Sequence, residues 1–330
     1  MRTFWHLEGR RRAPRDYEIV STGLLYHPAR GLSVETPVKA WLQRHVQGSA
    51  FCVEGLAEFQ DPRGTTYSTY VELQRSQQSY LDGMLDRAER GDRDDTLDPD
   101  WLEELRRSFA PLRYPCHALQ MTAAYLGQMA PDSRLTIAFL FQAADEMRRV
   151  SGLARRLGQL VRAHGLEASG ARGVFEADER WQPFRALFEG LLVTYDYGAA
   201  FCALQLVVKP YFEAVLAVFA AMAKRRSDRV GFDLVHAFDD DVLWHRAWSD
   251  VVIRIVLRDD RAREAIRRWV SDWRIRAEES ARTFAEALDP EFGGARIGIE
   301  IGARVGERLA ALGLVDASPA SSRDGASGAP

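Results

Sequence analysis

The chain has 330 residues, of which 46% are hydrophobic, enough to bury one large core or two ordinary ones. A net charge of −3 leaves no electrostatic footprint for nucleic acid. Three cysteines, Cys52, Cys116 and Cys202, stand far apart and form no Cys-x-x-Cys pair, which suits a reducing cytoplasm better than a disulfide framework.

The stretch from Met1 to Glu8 holds no apolar run of signal-peptide length, so a cytoplasmic protein is expected. Residues 1–60 lack sustained helical periodicity: Trp5, Tyr17, Ile19, Val20, Leu24, Leu25 and Tyr26 alternate with Arg10, Arg11, Arg12 and Arg15. They are expected to form an extended arm lying on another subunit, with aromatic anchors and arginines as contacts; a flexible tail is the bland alternative. From residue 61 to 290 the pattern is helical. Tyr67, Tyr70, Leu73, Gln77 and Leu81 share one face, and Glu89 to Asp98 is a polar loop. Pro111-Leu-Arg-Tyr-Pro115 leads into a helix over 116–129, closed by Pro131. A longer helix over 135–161 carries Ile137, Leu140, Phe141, Ala144, Met147, Ser151, Ala154, Leu157 and Val161 on one stripe, and Gly165 to Gly173 is the next loop.

The run Leu191 to Pro210 is apolar on nearly every side, so it is either buried or in a membrane. Asp196 and Gln205 lie inside it and no second such run exists, which favours the central helix of a soluble bundle. Gly198, Ala199, Ala200 and Ala203 would admit close neighbours, and Pro210 is expected to end or kink the helix because proline removes a backbone donor. Further helices are expected over 212–223, 239–257 and 261–288, with no strand, so the class is mainly α. In residues 291–316, Gly294, Gly298, Gly302 and Gly306 recur every fourth position, consistent with a closely docked helix or with a frayed segment. Residues 317–330 are of low complexity and expected to be disordered.

There is no phosphate-binding loop, no Gly-x-Gly-x-x-Gly, no His-Glu-x-x-His and no Gly-x-Ser-x-Gly. A carboxylate-bridged di-iron site in a bundle needs two Glu-x-x-His pairs, because that spacing aims both side chains at one metal pair. None of the seven histidines has Glu three residues before it; Asp233-Leu-Val-His236 is a single weaker match, read more simply as a surface or partly buried histidine.

Several separated blocks nevertheless carry a resemblance: Trp5-His-Leu-Glu-Gly-Arg-Arg-Arg-Ala-Pro-Arg-Asp-Tyr-Glu-Ile-Val-Ser-Thr22, Pro111-Leu-Arg-Tyr114, Leu119-Gln-Met-Thr-Ala-Ala-Tyr-Leu-Gly-Gln-Met-Ala-Pro131 and Leu206-Val-Val-Lys-Pro210. From about Thr3 to about Leu288 the chain resembles the β subunit of the hydroxylase of bacterial multicomponent monooxygenases, of the toluene, benzene and alkene type. The resemblance implies a ferritin-like (ribonucleotide-reductase-like) helical bundle without its own di-iron site. It also implies α and γ partners in an (αβγ)2 assembly, with di-iron in α. An effector protein, a ferredoxin and a reductase would supply NADH, FAD and 2Fe–2S chemistry elsewhere in the system.

It further implies which ligand positions are lost. Gln120 stands for the first Glu, and Glu146 persists while its histidine is Arg149. Gly198 stands for the third Glu, and His245 persists while its Glu is Val242. Two of six ligands cannot hold two irons, and an arginine stays protonated in proteins; Arg149 is expected to pair Glu146 in a buried cavity, against the plain alternative of a solvated ion pair. The expectation is a structural subunit binding no cofactor, nucleic acid or membrane, with Trp5, His6, Arg10, Arg11, Arg12, Tyr17 and Tyr26 at a subunit interface. A catalytic ferritin-like di-iron oxygenase and a free-standing helical binding protein are the alternatives.

Overall fold

A computed structural model describes residues 15–21, 37–91, 97–289 and 294–315. Among these residues there is no strand. The helices are α1 (Asp16–Ser21), α2 (Pro37–Leu42), α3 (Tyr67–Arg90), α4 (Pro99–Glu104), α5 (Arg113–Gln128), α6 (Ser133–His164) and α7 (Ala171–Ala177). They continue as α8 (Gln182–Leu192), α9 (Tyr197–Cys202), α10 (Lys209–Arg225), α11 (Arg229–His236), α12 (Asp239–Val256), α13 (Asp260–Leu288) and α14 (Gly294–Ala311).

Local chemistry sets several boundaries. Thr66 and Thr69 form a reciprocal capping box at the start of α3, and Asp132 and Asp259 accept backbone N–H bonds at the starts of α6 and α13. Gly165, at φ 65°, ends α6 in the left-handed conformation that glycine adopts without steric cost.

The expected central helix starts later and runs further. Asp196 is not inside it but caps it, accepting from Ala199 N, so the chain breaks after α8 and restarts at Tyr197. It then continues through Tyr197–Arg225, with a π-helical segment at Ala203–Val208 between α9 and α10. Pro210 neither ends nor stops this helix. The wider π turn, in which Lys209 N bonds Leu204 O, takes up the ring that would otherwise strike the preceding turn. By length and composition this helix could cross a membrane, but 72% of its most apolar stretch is buried inside the chain, where α5, α8, α12 and α13 surround it.

Two expectations are overturned by packing. The second half of the expected arm is core: Phe51 and Phe59 are fully buried, and Leu56 lies between them in a 3-10 turn at Glu54–Glu58. The stripe proposed for α6 mostly faces outward, since Leu140, Ala144, Met147, Ser151, Ala154 and Val161 are exposed. The inner face carries Asp145, Glu146, Arg149 and Arg156 beside Phe139, Leu153 and Leu160. Hydrophobic periodicity assigns charges to solvent, and α6 buries them in pairs. The glycine-striped segment is the docked helix α14, which packs on α13 and α10 through Ile301, Val305 and Leu309.

Candidate functional site

Lys209 is the first residue of α10, and its ammonium is buried in the bundle centre. It bonds Glu146 of α6 and lies 2.9 Å from Glu213 Oε1, one turn along its own helix. Arg149, one turn beyond Glu146, donates to Glu213 Oε1 at 2.6 Å and lies 3.5 Å from Glu146 Oε2. Two cations and two carboxylates thus alternate, and their formal charges cancel. Burial pushes the Glu213 carboxyl up, but Arg149 and Lys209 more than offset it and hold it down at about 2. Burial works against the charge on Arg149 too, yet Glu213 and Glu146 leave its pKa raised.

A second polar layer sits beside the first. His245 Nε2 of α12 lies 3.0 Å from Asp145 Oδ2. Asp145 Oδ1 accepts from the Tyr70 hydroxyl and from Gln74 Nε2, each at 2.7 Å, and Gln74 Nε2 also reaches Asp241 Oδ1 at 2.9 Å. Arg148 closes the chain on Asp241. Burial, helped by the Lys209 charge, depresses His245 to about 3, so the imidazole is neutral and its contact with Asp145 is a hydrogen bond rather than an ion pair. Burial raises Asp145 to about 7, against the pull of the Tyr70 hydrogen bond and Arg148.

Of the six positions implied by the resemblance, the structure brings Glu146, Arg149 and His245 to this centre, with Val242 buried one turn before His245. It does not bring Gln120, which lines a groove on the outer surface with Ala124, Leu140, Ala144 and Met147. The α5 residue that feels the four charges is Cys116, one turn earlier, whose thiol burial pushes up to about 12. Gly198 is also elsewhere, packed against Phe51 and the Trp269 ring about three turns before Lys209. Sequence reasoning passed over Lys209 and Glu213. Their signal was a lysine inside an apolar run with a glutamate four residues on, since a buried lysine must be paired. Trp5, His6, Arg10, Arg11, Arg12 and Tyr26 lie outside the described residues. Tyr17, expected at a subunit interface, is buried in this chain, its hydroxyl accepting from Asp61 N at 3.1 Å.

This donor set does not fit a di-iron centre. Arg149 and Lys209 place fixed positive charges against the carboxylates, Val242 has no donor atom, and Glu146 and His245 are engaged by Lys209 and Asp145. Among the described residues no three His, Cys, Asp or Glu side chains are grouped to hold a metal ion.

Comparison with known proteins agrees with this architecture. The family model for methane, phenol and alkene hydroxylases matches residues 41–260. The β subunit of the hydroxylase component of the toluene-4-monooxygenase system of Ectopseudomonas mendocina is 30% identical over 299 residues, covering 88% of this chain and 91% of that protein. A chain of toluene 4-monooxygenase, solved with toluene bound in the resting active site, has a TM-score of 0.82 at 30% identity and is covered over 98% of its length by 88% of this chain. Xenon-pressurised phenol hydroxylase from Pseudomonas sp. OX1 shares the fold, with a TM-score of 0.83 at 18% identity over 92% of this chain and 91% of its own. The buried helical core, ferritin-like in arrangement, and the matched span together place the chain in the methane, phenol and alkene hydroxylase family.

Proposed function

We propose that this chain is the non-catalytic structural β subunit of the hydroxylase of an NADH-dependent multicomponent monooxygenase, one that hydroxylates aromatic rings or epoxidises alkenes. It works in a cytoplasmic assembly of two α, two β and two γ chains. Iron and substrate sit in α; NADH, FAD and 2Fe–2S belong to the electron-transfer components. The contribution of this chain is positional: a rigid bundle that holds the catalytic chain's helices in register.

The observation that carries this reading is the inverted surface of α5 and α6. Of the charged residues on α6 between 134 and 149, Arg134, Asp145, Glu146 and Arg149 are buried and Arg148 is half-buried. The exposed positions are Leu140, Ala144 and Met147, followed by Ser151 and Ala154, and α5 adds His117, Met121, Ala124 and Gln128. Leu140 is 55% exposed, and Met121 and Met147 each 39%. A face without Asp, Glu, Lys or Arg, in a chain with 28% charged residues, has the composition of an interface core rather than a solvated surface. The name of the 30%-identical relative, a hydroxylase β subunit, supports the same reading.

Co-expression of the tagged chain with its hydroxylase partners, followed by size-exclusion mass and iron analysis, tests it. A large complex holding iron, and near-zero iron on the isolated chain after anaerobic reconstitution, is expected. Leu140→Asp with Met147→Asp should leave a folded chain that no longer co-purifies, and removal of residues 2–14 should weaken the same complex. Stoichiometric iron on the isolated chain would instead make it a catalyst, and an intact complex with both aspartates would remove the α5–α6 face from the interface.

A further inference from the structure

Helix α14 sends a charged side chain to the buried helix Tyr197–Arg225. Arg308 of α14 donates from Nη1 to the backbone carbonyl of Gln205 at 2.8 Å. Its Nη2 lies 2.6 Å from Asp250 Oδ1 and 3.2 Å from Ser249 Oγ, and its Nε 3.1 Å from Asp250 Oδ1. Gln205 lies in the π-helical segment Ala203–Val208, which is buried throughout. Its carbonyl has a specific reason to need an outside donor. The π pattern pairs each N–H with the carbonyl five residues back, as Lys209 N does with Leu204 O. The next N–H in that series would belong to residue 210 and would serve Gln205 O, but residue 210 is proline and has none. A buried carbonyl left without a partner is costly, so one must come from elsewhere.

We propose that Arg308 substitutes for the missing N–H of Pro210, making α14 a clasp that completes the buried helix and fixes Lys209, the residue beside the proline, against Glu146 and Glu213. The rest of α14 is built to deliver that side chain. Ile301, Val305 and Leu309 bury its inner stripe, Gly302 and Gly306 leave room for Glu278 and Arg274 of α13, and Gly313, at φ 70°, closes it while Arg267 bonds Gly313 O at 3.0 Å. Arg308 is a positioning residue in this arrangement.

The test is amide hydrogen exchange, resolved by peptide, in the full chain within its co-purified complex. Arg308→Met should speed exchange across residues 203–213 by about tenfold, with α3 unchanged. In a Pro210→Ala background, where residue 210 supplies its own N–H, the same substitution should speed it by less than about threefold. Equal acceleration in both backgrounds would overturn the proposal, since Arg308 would then act only through Asp250. Asp250→Asn separates the two bonds without touching the proline: little change over 203–213 supports the carbonyl bond as the active one, and acceleration matching Arg308→Met overturns it.

Discussion

Lys209 shows how a single residue changes what a helical bundle can do. Its side chain is 4% exposed and holds two carboxylates from different helices, so deleting it leaves Glu146 facing Arg149 alone at 3.5 Å. Removing one partner from a buried charge network costs about 3–5 kcal/mol, whereas replacing the whole pair costs much less. Lys209→Met should therefore destabilise the chain by about that amount, and Glu146→Gln added to it should recover more than half, as read by urea denaturation. A neutral Lys209→Met would show the cluster to be hydrated. His245 adds a pH dependence. Held at about 3 in the fold, it stays neutral where an unfolded histidine protonates below about pH 6.5, so its contribution is present above that pH and is lost as pH falls towards 3. Asp145 runs oppositely: raised to about 7, it favours the fold fully below about pH 4, and that contribution is lost as pH rises through 7. The stability lost in His245→Gln should accordingly be greatest above pH 6.5 and shrink as pH falls towards 4. A difference that does not vary with pH would contradict the buried neutral imidazole.

Among the elements, the helix Tyr197–Arg225 depends on close approach at one end and on a widened turn in the middle. A methyl group at Gly198 would overlap the Phe51 Cβ and lie 2.8 Å from the Trp269 ring. Alanine would raise helix propensity by about 1 kcal/mol, but overpacking a closed core costs about 1–3 kcal/mol, and Phe51 is fully buried and cannot retreat. Gly198→Ala is thus expected to lower the melting temperature, and an unchanged or higher value would mean that the 49–59 segment yields. The glycine serves packing against the N-terminal segment, a different task from the ligand position expected for it. Helix α6 makes the complementary point. It pairs its charges inward, with Lys209, Glu213 and His245 as partners, and this leaves apolar side chains on its outer face.

At the scale of the molecule, α6 pairs its charges inward and turns apolar side chains outward, where the proposed function places a partner. A partner covering α5 and α6 binds only the folded state, so it should stabilise the chain by about 2.7 kcal/mol when its concentration is 100 times the dissociation constant. For 330 residues, at an unfolding entropy of about 2.1 cal/mol/K per residue, that corresponds to about 4 °C in melting temperature. Thermal scans with and without the catalytic chain should show the rise, and the Leu140→Asp, Met147→Asp chain should not show it. A rise that persists in that variant would move the contact elsewhere.

The all-helical class was legible because 3.6-residue periodicity acts locally; the apolar run Leu191 to Pro210 was legible as buried or membrane-spanning, and packing by α5, α8, α12 and α13 made most of it core. The resemblance named six ligand positions, of which Glu146, Arg149, Val242 and His245 fall at the polar centre while Gln120 and Gly198 do not; among the four, a guanidinium and an isopropyl group stand where the resemblance implies imidazole and carboxylate. Tertiary structure decided what depended on distant partners. Phe51 and Phe59 became core only because the helices they meet, Tyr197–Arg225 and α12, lie far along the chain. Gln120 and Cys116 differ by one helical turn, and only the rotation of α5 against α6 selects which looks inward. Lys209 looked like the polar end of an apolar run until Glu146, 63 residues earlier, was brought to it. Periodicity records which residues prefer water, but a charge that finds its counter-charge inside the bundle no longer follows that preference, and that pairing exists only in three dimensions.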